Sequence, residues 1–320
     1  MVHSRRKYQG QSFLKGLTGA VDAWRLAAPS FREASRSVSE HSLATERRAP
    51  FIFPSWWTDD STLIVIDIGI DESESGSRLV VSGIVGKTSP MRKLDAEWKA
   101  ELAKAGVDYF HAKEHWNLRS KAYHGISTDA REKLLNRLVL HLHHRFLFGA
   151  SSIIDEAEYR DCTTPRFRSQ YGSAYAWGFQ SLMLTILVEL TRQKRANQPV
   201  NILIEDGHKN AQQAIGFIRA KKKRNSAMGI RLGSYGLGGK RDNPILQAAD
   251  LLAFGVCEFH TKGNSDFAFR FGSGKGRKRF IEYPWDRSSP DAVKADIMRH
   301  AALLKSGAPG AKRRTDLVMW

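Results

Sequence analysis

Cysteine is nearly absent from this chain: only Cys162 and Cys257 occur among its 320 residues. Two cysteines cannot form the dense disulfide framework that stabilises small secreted domains. Neither of them lies in a Cys-x-x-Cys or Cys/His spacing typical of structural zinc sites. We therefore expect neither a disulfide scaffold nor a zinc-finger-type module, and a reducing, cytoplasmic setting fits this composition.

Long apolar runs are missing as well. The strongest run, residues 63–70, is short and is interrupted by Asp67. It cannot cross the hydrocarbon core of a bilayer, which takes about 20 residues. The basic N-terminus is not followed by the continuous apolar stretch of a secretory signal peptide. We expect no membrane-spanning segment and no secretory signal.

Acidic residues are fewer than basic residues. The chain has 33 Asp and Glu against 50 Lys and Arg, a formal net charge of +17 and a pI of about 10.0. The excess basic residues cluster at 219–224, 275–279 and 312–314. Such clusters attract polyanions, most commonly nucleic acid, and a solvated face that only maintains solubility is the alternative. The nucleic-acid contacts predicted in the first cluster are Lys221, Lys222, Lys223 and Arg224.

Composition divides the chain into three parts. Residues 1–60 form a basic N-terminal extension rich in Arg and Ser, and residues 61–261 alternate between apolar strands and helices. Residues 262–320 form a Gly-rich, basic C-terminal extension, with a helix expected near 291–305. The central part is long enough to bury one large core.

The central part has the pattern of a strand hairpin followed by strand–helix alternation. Ser127 or Thr128 is expected to cap one helix, and Asn243 before Pro244 to cap another. Strands are predicted at 63–71, 79–85, 146–154, 200–205 and 229–235, and helices at 93–105, 128–143, 169–195, 210–224 and 243–260. This order predicts an α/β protein with a mixed sheet flanked by helices, in which an antiparallel hairpin comes first and parallel strands follow.

One acidic residue lies inside an apolar helix. Residues 245–257 are apolar nearly all round, which predicts a buried helix, and Asp250 is too far from Asn243 to be its N-cap. A buried carboxylate needs a metal, a cation or hydrogen-bond donors. A salt bridge to a core Lys or Arg is slightly favoured by physical chemistry alone, and a metal ion is the alternative. Gln247 lies on the same helix face.

Other acids lie at the ends of strands. Asp206 follows the strand at 200–205, where ligands gather in α/β sheets, although Asp before Gly207 is also a common turn. Alternation puts Asp206 on the face of Ile202 and Ile204. In the first strand Asp67 and Asp71 share a face but lie about 13 Å apart. Only one of these two can join a single metal site, and the pattern leaves both open.

Two short motifs resemble functional patterns. Residues 111–115 read H-x-x-E-H, the pattern of an inverzincin zinc peptidase, for which a downstream acid such as Glu189 could complete the ligands. This pattern needs a helix, whereas the segment follows an extended piece, so an exposed polar turn around Glu114 is the alternative. Residues 236–240 resemble a phosphate loop but lack the Walker spacing, which favours a mobile loop.

Taken in chain order, several of these pieces resemble the DUF3800 domain-of-unknown-function family. They are Asp71-Glu72-Ser73 with the following hairpin strand, the segment 110–114, Asp206, and the Gln-x-Ala-Asp pattern within 246–252. The resemblance covers about residues 61–261 and implies a ribonuclease H-like fold. It also implies acids in the order Asp71, Glu114, Asp206, Asp250. One departure is that Glu74 and Ser75 stand before Gly76, where the family has Asp-Glu-Ser-Gly.

These observations together predict a metal-dependent nuclease or phosphodiester hydrolase. Two Mg²⁺ or Mn²⁺ ions would be bound by the four acids, and His111 or His208 would transfer a proton. The partner would be DNA or RNA, and the pattern indicates no oligomeric state. The alternative is a non-catalytic nucleic-acid-binding or interaction protein of the same fold. The enzyme hypothesis requires Asp206 and Asp250 to converge on one face of the sheet.

Overall fold

A computed structural model of the chain describes residues 64–223, 231–263 and 280–283. The N-terminal extension at 1–60, the basic clusters at 275–279 and 312–314, and the helix expected at 291–305 lie outside the described residues. The side chains of Lys221, Lys222 and Lys223 and the whole of Arg224 also lie outside them. The predicted nucleic-acid contacts therefore stay predictions.

The fold is α/β, with a mixed sheet in the order β5-β4-β1-β2-β3-β6. Its strands are β1 Ile66–Ser75, β2 Arg78–Lys87, β3 Phe146–Asp155, β4 Pro199–Glu205, β5 Arg231–Gly238 and β6 Phe280–Tyr283. The hairpin β1–β2 is antiparallel, as is the pair β2–β3. The pairs β1–β4, β4–β5 and β3–β6 are parallel. The predicted mixed sheet with an antiparallel hairpin first is confirmed, but the next strand, β3, is also antiparallel to its neighbour β2, and the parallel pairs involve β4, β5 and β6.

Eight helices lie in the described ranges. They are α1 Thr88–Ala105, α2 Ala112–Trp116, α3 Thr128–Arg145, α4 Glu156–Cys162, α5 Pro165–Tyr171, α6 Ala174–Arg192, α7 Ala211–Lys223 and α8 Pro244–Lys262. None of the helices described is both long and apolar enough to cross a bilayer. Short 3₁₀ turns at Lys121–Tyr123 and Lys240–Asp242 connect other elements.

The two faces of the sheet are covered by different helices. Side chains alternate along a strand, so β1 sends Ile66, Ile68 and Ile70 toward α6 and α7, where they join one apolar core. A second core lies between the opposite face and α1, α3 and α8. We call these the α6 face and the α8 face. Gly69 is on the α8 face, and a Cβ there would lie 2.6 Å from Ile245 Cγ1, so α8 crosses β1 in close contact.

Of the two helix caps that the sequence predicts, one is present and the other is not. The Ser127 hydroxyl accepts a hydrogen bond from Ala130 N at 3.3 Å and caps α3, as predicted. Asn243 occupies the N-cap position of α8, but its side chain donates to Gly239 O at 2.7 Å and does not cap the helix. Asn243 therefore fixes the loop that precedes α8.

Three segments differ from the prediction. The helix expected at 169–195 is the shorter α6, because Gly172 interrupts the chain at φ 93° and two short helices, α4 and α5, precede it. Residues 236–240 end β5 and begin a 3₁₀ turn, so the expectation of a mobile loop is wrong. Phe280–Tyr283, inside the predicted C-terminal extension, form β6 and pair with β3.

Candidate metal centre

Three carboxylates meet where β4 ends beside the middle of β1. The parallel register pairs Ile70 with Ile204, so the next residues, Asp71 and Glu205, come side by side on the α8 face. One carboxylate oxygen from each of Asp71, Glu72 and Glu205 lies within 4.8 Å of the others. We call these three residues the acidic triad. Within the described ranges it is the one group of three or more potential ligands with this spacing.

The acidic triad is short of donors. Asp71 is 0% exposed, and its Oδ1 accepts from Glu72 N at 2.8 Å. Among the described residues, Glu72 Oε2 is buried without a hydrogen-bond partner, and the partner of buried Asp71 Oδ2 is the ammonium of Lys240. Carboxylate oxygens in this situation need protons or a cation.

Burial and mutual repulsion shift the ionisation of the triad. Burial raises the pKa of Asp71 well above its usual value, and the charges of Asp250 and Glu205 add to this against the lowering effect of Lys240. Burial, with the charges of Asp71 and Glu205, raises the pKa of Glu72 to about 9. Without a bound cation, the cluster therefore retains protons near neutral pH.

Lys240 lies between two of the acids. Its Nζ is 2.9 Å from Asp71 Oδ2 and 3.1 Å from Asp250 Oδ1. Burial by itself would lower the pKa of Lys240, but the charges of Asp71 and Asp250 raise it above its usual value, so it stays an ammonium. The salt bridge predicted as the partner of Asp250 is therefore present. A metal-ligand role for Asp250 stays a prediction.

Gln247 and Asp250 connect α8 to two loops. Gln247 Oε1 accepts from Trp98 Nε1 and Phe110 N, both at 2.8 Å, and its Nε2 donates to Lys240 O at 2.9 Å. Asp250 Oδ2 accepts from Ala112 N at 2.6 Å. The two side chains stand three residues apart on one helix face. The Gln-x-Ala-Asp pattern therefore lets one face of α8 bind two loops, one containing Phe110 and Ala112 and the other containing Lys240.

His111 and Glu114 lie at the rim of the same region. His111 Nε2 is 3.9 Å from Asp250 Oδ1, and His111 Nδ1 is 3.6 Å from Glu114 Oε1. The side chains of His111 and Glu114 are 29% and 34% exposed. The structure thus brings His111 to Asp250, whereas Glu114 reaches the site only through His111 and is not part of the acidic triad.

Asp206 does not join the other acids. It is exposed just beyond β4, with its backbone N–H donating to Gly238 O at 3.1 Å. Alternation places Glu205 on the face of Asp71, so the next side chain, Asp206, points to the α6 side. Asp206 is not a member of the acidic triad, so the enzyme hypothesis in the form that required Asp206 to converge with Asp250 is replaced by one that rests on the triad. The acid that β4 contributes is Glu205.

Asp67 is the acid of β1 that lies apart from the triad. It is 3% exposed, and its Oδ1 accepts from Asn201 Nδ2 at 2.9 Å. Burial raises its pKa to about 6, against hydrogen bonds from Asn201 and Thr88 that lower it. Asp67 is hydrogen-bonded by the side chain of Asn201 and lies outside the triad. Asp71 is in the triad and contacts the Lys240 ammonium, so Asp71 is the acid of β1 that belongs to the candidate site.

The α6 side of the triad holds a buried hydroxyl. Tyr175 is 0% exposed, and its OH has no hydrogen-bond partner among the described residues. Burial, with the charges of Glu72, Asp71 and Glu205, raises its pKa. The Tyr175 ring stacks on His208 at 4.2 Å, and His208 Nε2 lies 3.2 Å from Glu74 Oε1.

The zinc-peptidase pattern is not assembled in the described ranges. Residues Ala112–Trp116 form the short helix α2, and His111 is its N-cap residue. However, His115 is buried against the rings of Phe110 and Tyr123, at 5.2 and 5.3 Å. Glu189 lies on α6, across the sheet, and accepts from Arg192 and Gln193. No group of three ligands containing both His111 and His115 is found there.

No protein-family model matches this chain, and a search of curated proteins finds no significant match.

Proposed function

We propose that this protein is a divalent-metal-dependent phosphodiester hydrolase, a nuclease of the DUF3800 family with a ribonuclease H-like fold. The observation that carries the proposal is the acidic triad, three carboxylates with one oxygen each within 4.8 Å of the others, beside the end of β4. The hairpin followed by parallel strands in one mixed sheet supports the fold assignment. The acids come from β1, β4 and α8 in the chain order that the resemblance implies, but β4 contributes Glu205 in place of Asp206, and Glu114 lies outside the triad.

The triad fits a hard cation. Its ligands are all carboxylate oxygens, which Mg²⁺ and Mn²⁺ prefer. Glu72 Oε2 is buried without a hydrogen-bond partner among the described residues, so it has capacity for a further partner. A bound divalent ion would supply an activated water and a positive charge at the phosphate oxygens.

The remaining residues of the site fix its loops and neutralise part of its negative charge. Gln247 and Asp250 fix the loops that carry Lys240 and His111. Lys240 contributes a permanent positive charge beside Asp71. His111, half-buried beside Asp250, exchanges a proton at Nε2 with the reacting phosphodiester or with water. The basic end of α7 and the basic clusters outside the described residues attract the phosphate backbone.

A cleavage assay with a matched pair of variants tests this function. Labelled single- and double-stranded DNA and RNA are incubated with Mg²⁺, Mn²⁺ or EDTA. We expect metal-dependent cleavage that Asp71→Asn lowers by more than the about 10–100-fold typical of losing an outer-shell partner of a metal site. Asp67→Asn is the control, since Asp67 is an equally buried acid of the same strand and face that lies outside the triad. Equal activity of wild type and Asp71→Asn would overturn the proposal.

A second candidate is a non-catalytic nucleic-acid-binding protein of the same fold. It is favoured by Lys240, whose ammonium already neutralises Asp71 and Asp250 and so allows this part of the site to fold without a metal. Under this alternative no metal supports cleavage of any substrate. Binding to nucleic acid, measured by fluorescence anisotropy, is then the same in EDTA and in Mn²⁺.

A further inference from the structure

The site contains four clustered carboxyls and one ammonium. Three carboxyls belong to the acidic triad, and the fourth, on Asp250, lies beyond Lys240. We propose that Lys240 replaces the second cation of a two-ion site, so that the triad binds a single divalent ion while the Lys240 ammonium fills the position between Asp71 and Asp250. This inference rests on the proposed function only in requiring that the triad binds an ion.

Asp250 is engaged as an anchor for Lys240. Its Oδ1 faces the Lys240 ammonium at 3.1 Å, and its Oδ2 accepts from the backbone N–H of Ala112 at 2.6 Å. Both oxygens of Asp250 therefore have partners from the chain itself, and Asp250 is not part of the triad. Asp71 also has a partner at each oxygen, but it belongs to the triad, and a carboxylate offers about four acceptor positions, so Asp71 can contact Lys240 while ligating an ion.

Hydrogen bonds to the backbone of Lys240 and of its neighbour fix the position from which the ammonium extends. Lys240 O accepts from Gln247 Nε2 at 2.9 Å and from Asn243 N at 3.2 Å. The Asn243 side chain donates to Gly239 O at 2.7 Å, which fixes the residue before Lys240. The Lys240 side chain is only 17% exposed. A lysine fixed at its backbone and buried along its stem cannot leave the two acids as a surface lysine can.

An independent group points to a ligand on the other side of the triad. The Tyr175 hydroxyl is fully buried without a hydrogen-bond partner in the described part of the chain. The Tyr175 ring stacks on His208 at 4.2 Å, and His208 Nε2 lies 3.2 Å from Glu74 Oε1, so Tyr175 lies beside the part of β1 that follows Glu72. Buried hydroxyls are almost always hydrogen-bonded, so an oxygen brought by the ion or its water on this side would satisfy it. The ion is thus expected on the Glu72 side and the ammonium on the Asp250 side.

Counting bound Mn²⁺ tests the inference without any assay of activity. Full-length protein is titrated with Mn²⁺, and free ion is measured by electron paramagnetic resonance, with isothermal titration calorimetry as a second readout. We expect one ion per chain for wild type and two for Lys240→Met, because removing the ammonium frees Asp71 and Asp250 to ligate. Arg241→Met is the matched control, since Arg241 pairs with exposed Asp108 and lies outside the site, and it should still bind one ion.

The outcomes separate the two proposals. Wild type that binds two ions, or Lys240→Met that binds one with unchanged affinity, overturns the role of Lys240 and leaves the metal site intact. Wild type that binds no ion overturns the proposed function itself. If Lys240→Met does not fold, Asp250→Asn decides: one ion bound within about threefold of the wild-type affinity supports the inference, and loss of the ion overturns it.

Discussion

Replacing Lys240 by methionine tests how far the site depends on its internal ammonium. The side chains of Lys240, Asp71 and Asp250 are 17%, 0% and 5% exposed, so all three charges lie largely out of water. Removing one partner of a buried ion pair leaves an uncompensated charge and costs about 3–5 kcal/mol. Since Asp71 takes up a proton when it loses its cation, we expect Lys240→Met to lower the free energy of unfolding in EDTA by about 3 kcal/mol.

A double-mutant cycle with Asp250→Asn isolates the ion pair. Asn at this position keeps an acceptor for the N–H of Ala112 and leaves Asp71 to pair with Lys240, so Asp250→Asn alone should cost about 1–2 kcal/mol. Because the two side chains are in contact, the double variant should lose less than the sum, by about 1–3 kcal/mol. Urea denaturation followed by circular dichroism measures all four free energies. Additive losses, with a coupling below about 0.5 kcal/mol, would refute the mutual stabilisation of Lys240 and Asp250.

Arg241→Met controls for the loss of a cation from the same turn. Arg241 Nη2 lies 2.8 Å from Asp108 Oδ2, but these side chains are 68% and 77% exposed. Exposed pairs contribute about 0–1 kcal/mol, so we expect a change of less than about 0.5 kcal/mol. A loss as large as that of Lys240→Met would assign the effect to the turn and not to burial of the charges.

Three further predictions concern Glu72, Gly69 and Gln247. The raised pKa of Glu72, about 9 against 4.5, means that the metal-free folded state keeps a proton that the unfolded chain loses. The free energy of unfolding should therefore fall as pH rises from about 4.5 to about 9, and Glu72→Gln should flatten this slope in denaturation curves recorded across that range in EDTA. A Cβ at Gly69 would lie 2.6 Å from Cγ1 and 2.9 Å from the carbonyl oxygen of Ile245, so Gly69→Ala should cost about 1–3 kcal/mol, and an unchanged urea midpoint contradicts this close packing. Gln247→Leu removes the acceptor of two buried donors and should cost about 2–4 kcal/mol in the same assay, whereas a neutral effect would mean that these donors find other partners.

Most elements of the sheet could be predicted because their signals are local. The strand after the first turn and the helix capped by Ser127 follow from alternation, periodicity and a capping hydroxyl within a few residues. The strand at Phe280–Tyr283 could not be predicted in this way. It pairs with β3 across more than a hundred residues of chain, and its own surroundings are Gly-rich and basic, so the pairing partner and not the local pattern makes it a strand.

Those residues of the candidate site whose burial follows from the local sequence could be predicted. Asp250 stands out as an acid inside an apolar helix, and its need for a partner follows from the cost of burying a charge. The choice between Glu205 and Asp206 depends on which face of β4 is turned to α8. That face is set by the pairing of Ile66 with Val200, a register between distant segments that a single strand pattern does not contain.

Lys240 was missed because it lies in a Gly-rich segment without periodicity. The signal that could have found it is the combination of two facts, that Asp250 requires a cation and that a lysine stands just before the N-terminus of the same helix. Loop residues that enter a core are recognised from the needs of the groups they meet, and those needs lie elsewhere in the chain.

The position of Lys240 far along the chain has a consequence for how the protein is synthesised. Asp71 and Glu72 leave the ribosome early, Glu205 much later, and the ammonium that neutralises Asp71 later still. A nascent chain that ends before residue 231 has the acids of the central sheet but lacks Lys240, and β4 lacks its neighbour β5. Such an intermediate exposes the edge of β4 as a template for pairing with other chains until β5 covers it and α8 packs over β1.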